Sequence, residues 1–138
     1  MGSFRRRAPV IAAVAAGGVL GAEARYALTL LQGDAVAFPW VTFVINVVGC
    51  VSIGVLMVVL LDLTSPHRLA RPFLGVGVLG GFTTFSTYAV DIQTMLVGGR
   101  SLGALGYLAL TPVAALAGVW AGAAATRALI RHRRGDDP

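Results

Sequence analysis

The run Gly80-Gly81-Phe82-Thr83-Thr84-Phe85-Ser86-Thr87-Tyr88 places four hydroxyls within five residues, directly after a glycine pair. Paired glycines weaken a helix, and Ser and Thr side chains compete for the backbone's own hydrogen bonds. The run therefore predicts an interruption of regular backbone that frees carbonyl oxygens. Freed carbonyls can hold a cation. Hydroxyls and the positive edges of aromatic rings suit a small anion instead. Phe85 and Tyr88, at i and i+3, can point their rings the same way. The alternative is an unbroken helix whose hydroxyls bond back to their own carbonyls. One Ser or Thr would favour that; a cluster beside Gly-Gly favours the break.

Other polar groups stand in apolar surroundings. Thr42, Asn46 and Gly49 recur at i, i+4 and i+7, a narrow stripe on one helix face. Asn46 is either helix–helix glue or a ligand-binding amide, because an unpaired amide in hydrocarbon is costly. Tyr107 and Thr111 share a face by the same spacing, and Gly118 and Gly122 allow close approach. Gly17, Gly21 and Arg25 also share a face. Arg25 either snorkels to the headgroups or sits in an aqueous vestibule that attracts anions. Glu23 either faces the headgroups or acts as a coupling carboxylate; its late position favours the headgroups.

The elements that must carry these groups are membrane spans. Of 138 residues, 57% are hydrophobic and only 12% charged. A water-soluble domain carries about 25% charged residues. About 20 apolar residues cross the hydrocarbon core. Stretches over about 9–31, 40–61, 73–97 and 102–130 qualify. They are separated by Gln32-Gly33-Asp34, by Asp62 to Arg71 with Pro66, and by Gly98-Gly99-Arg100. The expected architecture is one all-α membrane domain over residues 1–138, with the third of its four helices broken near Gly80–Thr84. Arg5-Arg6-Arg7 before an Ala/Val-rich run resembles a signal peptide. The apolar run continues to Leu31, so the first span is expected to be retained.

All 11 basic residues are arginines, giving a net charge of +5. They sit in gaps and tails rather than on one amphipathic face, which fits anionic lipid headgroups and not nucleic acid. Nine of them (Arg5, Arg6, Arg7, Arg68, Arg71, Arg127, Arg131, Arg133, Arg134) share the side of the termini. Arg25 and Arg100 lie toward the other side. The positive-inside rule then places both termini in the cytoplasm.

These motifs resemble the small four-span fluoride channels of the Fluc or CrcB type. Gly17-Gly18-Val19-Leu20-Gly21-Ala22-Glu23-Ala24-Arg25-Tyr26 is similar to that family's first motif. Thr42-Phe43-Val44-Ile45-Asn46-Val47-Val48-Gly49 is similar to its second, and Gly80 to Tyr88 to its third-span signature. The region from Tyr107 to Trp120 is a looser match. The resemblance implies a fluoride-selective channel in a bacterial plasma membrane, exporting the ion passively and reducing its toxicity. It implies an antiparallel dimer with two pores and a structural, non-transported Na⁺ on the dimer axis. By position, the backbone carbonyls of Gly80 and Thr83 would hold that ion. Asn46 would donate to fluoride. Phe85 and Tyr88 would stand at the paired pore phenylalanines and Thr111 on a polar track, with Ser86 and Thr87 nearby and Arg25 at the vestibule. Tyr88 stands where Phe is usual and Asp91 where Glu is common. Both departures bear on whether the two pores are equivalent.

The arginine bias adds a separate expectation: a partner that is a homologous chain inserted the other way up. A small multidrug-type antiporter is the first rival. It needs a membrane carboxylate in the first span, and Glu23, beside Arg25 and without an aromatic cage, is the only candidate. A non-transporting assembly subunit leaves the Asn46 stripe and the third-span break without a purpose. No nucleophile–base pair, phosphate loop or metal-ligand spacing points to an enzyme. His67 and His132 lie in arginine-rich segments, and Cys50 is a lone thiol in an apolar run.

Overall fold

The computed structural model describes residues 2–31, 38–60 and 67–135; the side chains of residues 2–6 and 134 lie outside that description. The expected turn at Gln32-Gly33-Asp34 and the loop from Asp62 to Pro66 also lie outside it. Among the described residues there are helices and no strand. Helix α1 spans Gly2–Thr29 and α2 spans Trp40–Val58. Helix α3 runs through Arg71–Leu79 with wide, π-type turns and through Gly80–Phe82 with ordinary ones. Helix α4 spans Phe85–Val97 and α5 spans Ser101–Gly135.

Four stretches are long and apolar enough to cross a membrane: Arg7–Thr29, Trp40–Val58, Arg71–Val97 and Ser101–Arg133. The last helix runs past its apolar stretch into an arginine-rich end. Arginine is a good helix former, so helix and span need not end together. The wide turns after Pro72 were not expected from the sequence. Such turns are rare in helices and recur at functional positions.

Glycine decides how the helices pair. A Cβ on Gly17 would strike the Phe73 carbonyl, one on Gly21 the Val78 carbonyl, and one on Gly81 the Gly18 carbonyl. Rising numbers on α1 meet rising numbers on α3, so those two helices run parallel with their backbones touching. Gly54, Gly118 and Gly122 do the same for α2 and α5, where Gly54 lies on Val119 and Gly122 on Val51. The Gly17–Gly21 pair is thus spent on contact within the chain. In lipid such close approach replaces the water-driven collapse of a soluble core. Helix α4 crosses α5 in the opposite sense, with Tyr88, Met95, Ala104 and Tyr107 buried between them.

Candidate functional site

Helix α3 stops at Phe82, and α4 begins at Phe85, with two residues between them. Thr83 (φ −74°, ψ 156°) and Thr84 (φ −145°, ψ 125°) are extended. The break therefore falls inside the predicted Gly80–Thr84 window. The backbone groups it strands are met from both sides. Thr83 Oγ1 donates to the Leu79 carbonyl at 3.0 Å, the carbonyl that also accepts the Thr83 N–H. Thr84 caps α4, its Oγ1 accepting the Thr87 N–H at 3.1 Å and donating to Thr87 Oγ1 at 3.0 Å. Ser86 Oγ lies 3.3 Å from the same hydroxyl. Ser86 and Thr87 thus belong to the cap of α4 and do not line the cavity described below.

Two spans reach across to the break. Asn46, midway along α2, meets Thr84 twice. Its Nδ2 donates to the Thr84 carbonyl at 3.0 Å, and its Oδ1 accepts the Thr84 N–H at 2.8 Å. That pairing fixes which end of the amide is oxygen. A second Nδ2 hydrogen remains unused by Thr84. From α1, Arg25 Nε donates to the Gly81 carbonyl at 3.1 Å, at the negative end of α3. Gly80 faces the other way: a Cβ there would meet nothing within 4 Å.

Beside the break lies a cavity of about 430 Å³, open on one side. Its walls include Asn46 from α2, Thr83 and Thr84 from the break, Phe85 and Tyr88 from α4, and Thr111 and Pro112 from α5. Sequence reading named Asn46, Phe85, Tyr88 and Thr111 from three separate spans, and the fold brings all four to this one cavity. Arg25, Glu23, Ser86 and Thr87 are not in its lining.

The two aromatic residues part company. Their ring centroids are 5.7 Å apart, yet Tyr88 is buried while Phe85 is 80% exposed. The Tyr88 hydroxyl donates to the Leu108 carbonyl at 2.7 Å. That carbonyl would ordinarily take the N–H of residue 112, which is Pro112 and has none. Proline in α5 creates the acceptor, and the tyrosine hydroxyl fills it.

Deeper along the same groove of α4 and α5, the Tyr107 hydroxyl donates to Asp91 Oδ2 at 3.4 Å, a long contact. Tyr107 is fully buried and also packs edge-on against Phe38. Two buried hydroxyls, Thr42 Oγ1 and Thr111 Oγ1, have no hydrogen-bond partner among the described residues. Thr42 Oγ1 stands beside the Asp91 carboxyl, and Thr111 Oγ1 beside Tyr107, without reaching bonding geometry. Buried polar atoms are almost always satisfied, so these two hydroxyls stand out as polar points in an otherwise apolar groove. An intramembrane carboxylate adds another. The i, i+4 spacing of Tyr107 and Thr111 was legible in the sequence; the approach of Asp91 and Thr42 to that pair was not. Among the described residues no three His, Cys, Asp or Glu side chains cluster to hold a metal. The oxygens here belong to hydroxyls, backbone carbonyls, the Asn46 amide and the Asp91 carboxyl.

Comparison with known proteins is consistent across most of the chain. Residues 12–123 match the family model described as CrcB-like protein, Camphor Resistance (CrcB). The chain is 54% identical over 132 residues to the fluoride-specific ion channel FluC 1 of Streptomyces coelicolor, covering 95% of this chain and 86% of that one. It is 54% identical over 119 residues to FluC 2 of Nocardia farcinica, covering 86% and 85%. It is 40% identical over 123 residues to FluC of Rhodospirillum centenum, covering 88% and 98%.

Proposed function

The chain belongs to the CrcB-like family, and from that premise we propose that it is a passive, fluoride-specific ion channel and not an enzyme. The observation that carries the reading is the cavity in which Asn46, Phe85, Tyr88 and Thr111 meet beside the third-span break. A small, strongly hydrated anion needs donors to replace its water. The spare Asn46 hydrogen, the hydroxyls and the ring edges supply them without a fixed positive charge that would trap the ion. The orphaned Thr42 and Thr111 hydroxyls support a continuation of that path toward Tyr107. An inside-negative potential drives an anion outward with no energy coupling.

The pore residues are then Asn46, Phe85, Tyr88 and Thr111, with Ser86 and Thr87 shaping the turn beside them and Arg25 near the entrance. A structural Na⁺ on the carbonyls of Gly80 and Thr83 fits what surrounds them. Sodium is a hard cation that prefers oxygen ligands, Gly80 is open to the outside of the chain, and the carbonyl of extended Thr83 lies past the last helical turn. Bound there, it would neutralise carbonyl dipoles that converge where two chains cross.

The unit in this reading is a dimer, which the uncovered Phe85 and Gly80 and the open side of the cavity support. The partner is antiparallel. The nine-to-two distribution of arginines supports one orientation for this chain, with both termini in the cytoplasm of a bacterial plasma membrane. A single fixed orientation requires a homologous partner of opposite topology.

Fluoride efflux from liposomes tests the reading. Co-reconstitution with a homologous, oppositely inserted chain should give rapid efflux, and this chain alone should give little. Changing Asn46→Leu and Phe85→Ala together should abolish it. Efflux that survives both changes overturns the pore assignment, and full efflux from this chain alone overturns the heterodimer.

A further inference from the structure

In an unbroken α-helix the N–H of Thr84 would bond to the carbonyl of Gly80. It does not do so here, because Asn46 Oδ1 takes that N–H at 2.8 Å. The same amide covers the Thr84 carbonyl at 3.0 Å. Asn46 therefore presents to Thr84 what a neighbouring peptide would: one acceptor and one donor. The N–H of Thr83 goes to Leu79, and no donor from another element meets the Gly80 carbonyl among the described residues. A single side chain of α2 thus accounts for the stranded N–H of Thr84 and for the loss of the Gly80 carbonyl's helical partner, and it adds a second donor to the Thr84 carbonyl, which as the cap of α4 already takes that helix's first N–H.

We infer that Asn46 is the positioning residue that holds the third span open. Its acceptor arm keeps the Thr84 N–H away from Gly80, so the Gly80 carbonyl stays available to a cation. Its donor arm uses one amide hydrogen and leaves the other to the cavity. The ion path and the cation site then share one amide, and the two cannot be altered independently at this position. The cation half of this inference rests on the reading of Gly80 and Thr83 as sodium ligands given above.

Three alternatives to an inert spacer make the amide hard to replace. Leucine offers neither arm. Aspartate keeps the acceptor in either protonation state but cannot donate to Thr84 and the cavity together. Glutamine places the amide one carbon too far along.

The chain contains three Gly-Gly pairs, 17–18, 80–81 and 98–99. Glycine labelled with carbonyl ¹³C and ¹⁵N therefore reports the Gly80 carbonyl through the Gly81 amide in a three-line spectrum. In the reconstituted wild-type channel the Gly80 carbonyl resonance is expected at the position of a carbonyl without a hydrogen bond, and to move when N-methyl-glucamine is replaced by Na⁺. Asn46→Leu should shift it to the helical, hydrogen-bonded position and remove the response to Na⁺. Asn46→Val serves if the leucine variant does not fold. Asn46→Asp should leave the resonance where it was while fluoride efflux is lost. An unmoved resonance in the leucine or valine variant overturns the inference, as does a helical resonance in the aspartate variant. A wild-type resonance that ignores Na⁺, together with the expected shift in Asn46→Leu, would sink the sodium reading and leave the role of Asn46 standing.

Discussion

The two halves of the third span are built on opposite principles. The first half, Arg71–Phe82, has almost no polar side chain and is held by backbone against backbone, where Gly77 and Gly81 lie on α1. The second half, Phe85–Val97, is capped by the Thr84 hydroxyl and lies on α5 through side chains: the Tyr88–Leu108 bond and the buried Met95. Glycine lets helices approach closely but gives up side-chain anchors. The first half can therefore free a carbonyl at its end, and the second can fix rings and hydroxyls beside it. The proposed pore at the join draws on both.

The comparison breaks most sharply at two adjacent glycines. A Cβ on Gly81 runs into the Gly18 backbone, which cannot yield as a side-chain tip could. Gly81→Ala should cost about 1–3 kcal/mol, measured as a lower melting temperature in detergent. Gly80→Ala meets nothing within the chain, so the single chain should gain up to about 1 kcal/mol from the better helix former, and a loss that appears only in the assembled dimer would put Gly80 at its seam. Equal losses at both positions would mean that the first half is not seated on α1 as described.

Next in size is the link across α4 and α5. Tyr88→Phe removes the hydroxyl from the Leu108 carbonyl and should cost about 1 kcal/mol. In a Pro112→Ala background, where a restored N–H takes that carbonyl, the same change should cost almost nothing. A cycle with no coupling would show that the tyrosine hydroxyl does not serve the proline.

The smallest effects are expected at the orphan hydroxyls. Thr42→Val and Thr111→Val remove buried oxygens that have no partner among the described residues, so melting temperatures should stay level or rise slightly. Fluoride efflux should fall in Thr111→Val, because that residue lines the cavity. A clear loss of stability in either variant would mean that the hydroxyl is already satisfied.

Much of this was legible in order of locality. Four spans follow from runs of apolar residues, and the break follows from Gly80-Gly81 beside four hydroxyls, since both are properties of neighbouring residues. The i, i+4 logic also put Thr42 with Asn46 and Tyr107 with Thr111. It could not give the partner of each. Phe85 and Tyr88 looked alike at i and i+3, yet one is exposed and the other buried, because burial depends on where α5 lies. Sequence alone does not choose between headgroup and vestibule for Arg25, and the fold gives its Nε the Gly81 carbonyl. The wide turns of Arg71–Leu79 left no readable mark beyond Pro72.

By itself, then, the sequence determined that this chain lives in a bilayer, crosses it four times and interrupts its third crossing. Hydrophobic length, charge bias and glycine pairs act along the chain and need no partner to be read. Only the tertiary structure decided what satisfies the interruption. A stranded N–H must find an acceptor within about 3 Å. Which side chain stands that close is set by the register of α2 against the break, where Gly49, one turn from Asn46, lies on Thr83. Asn46 is a costly amide in the sequence; in the fold it is the other half of Thr84.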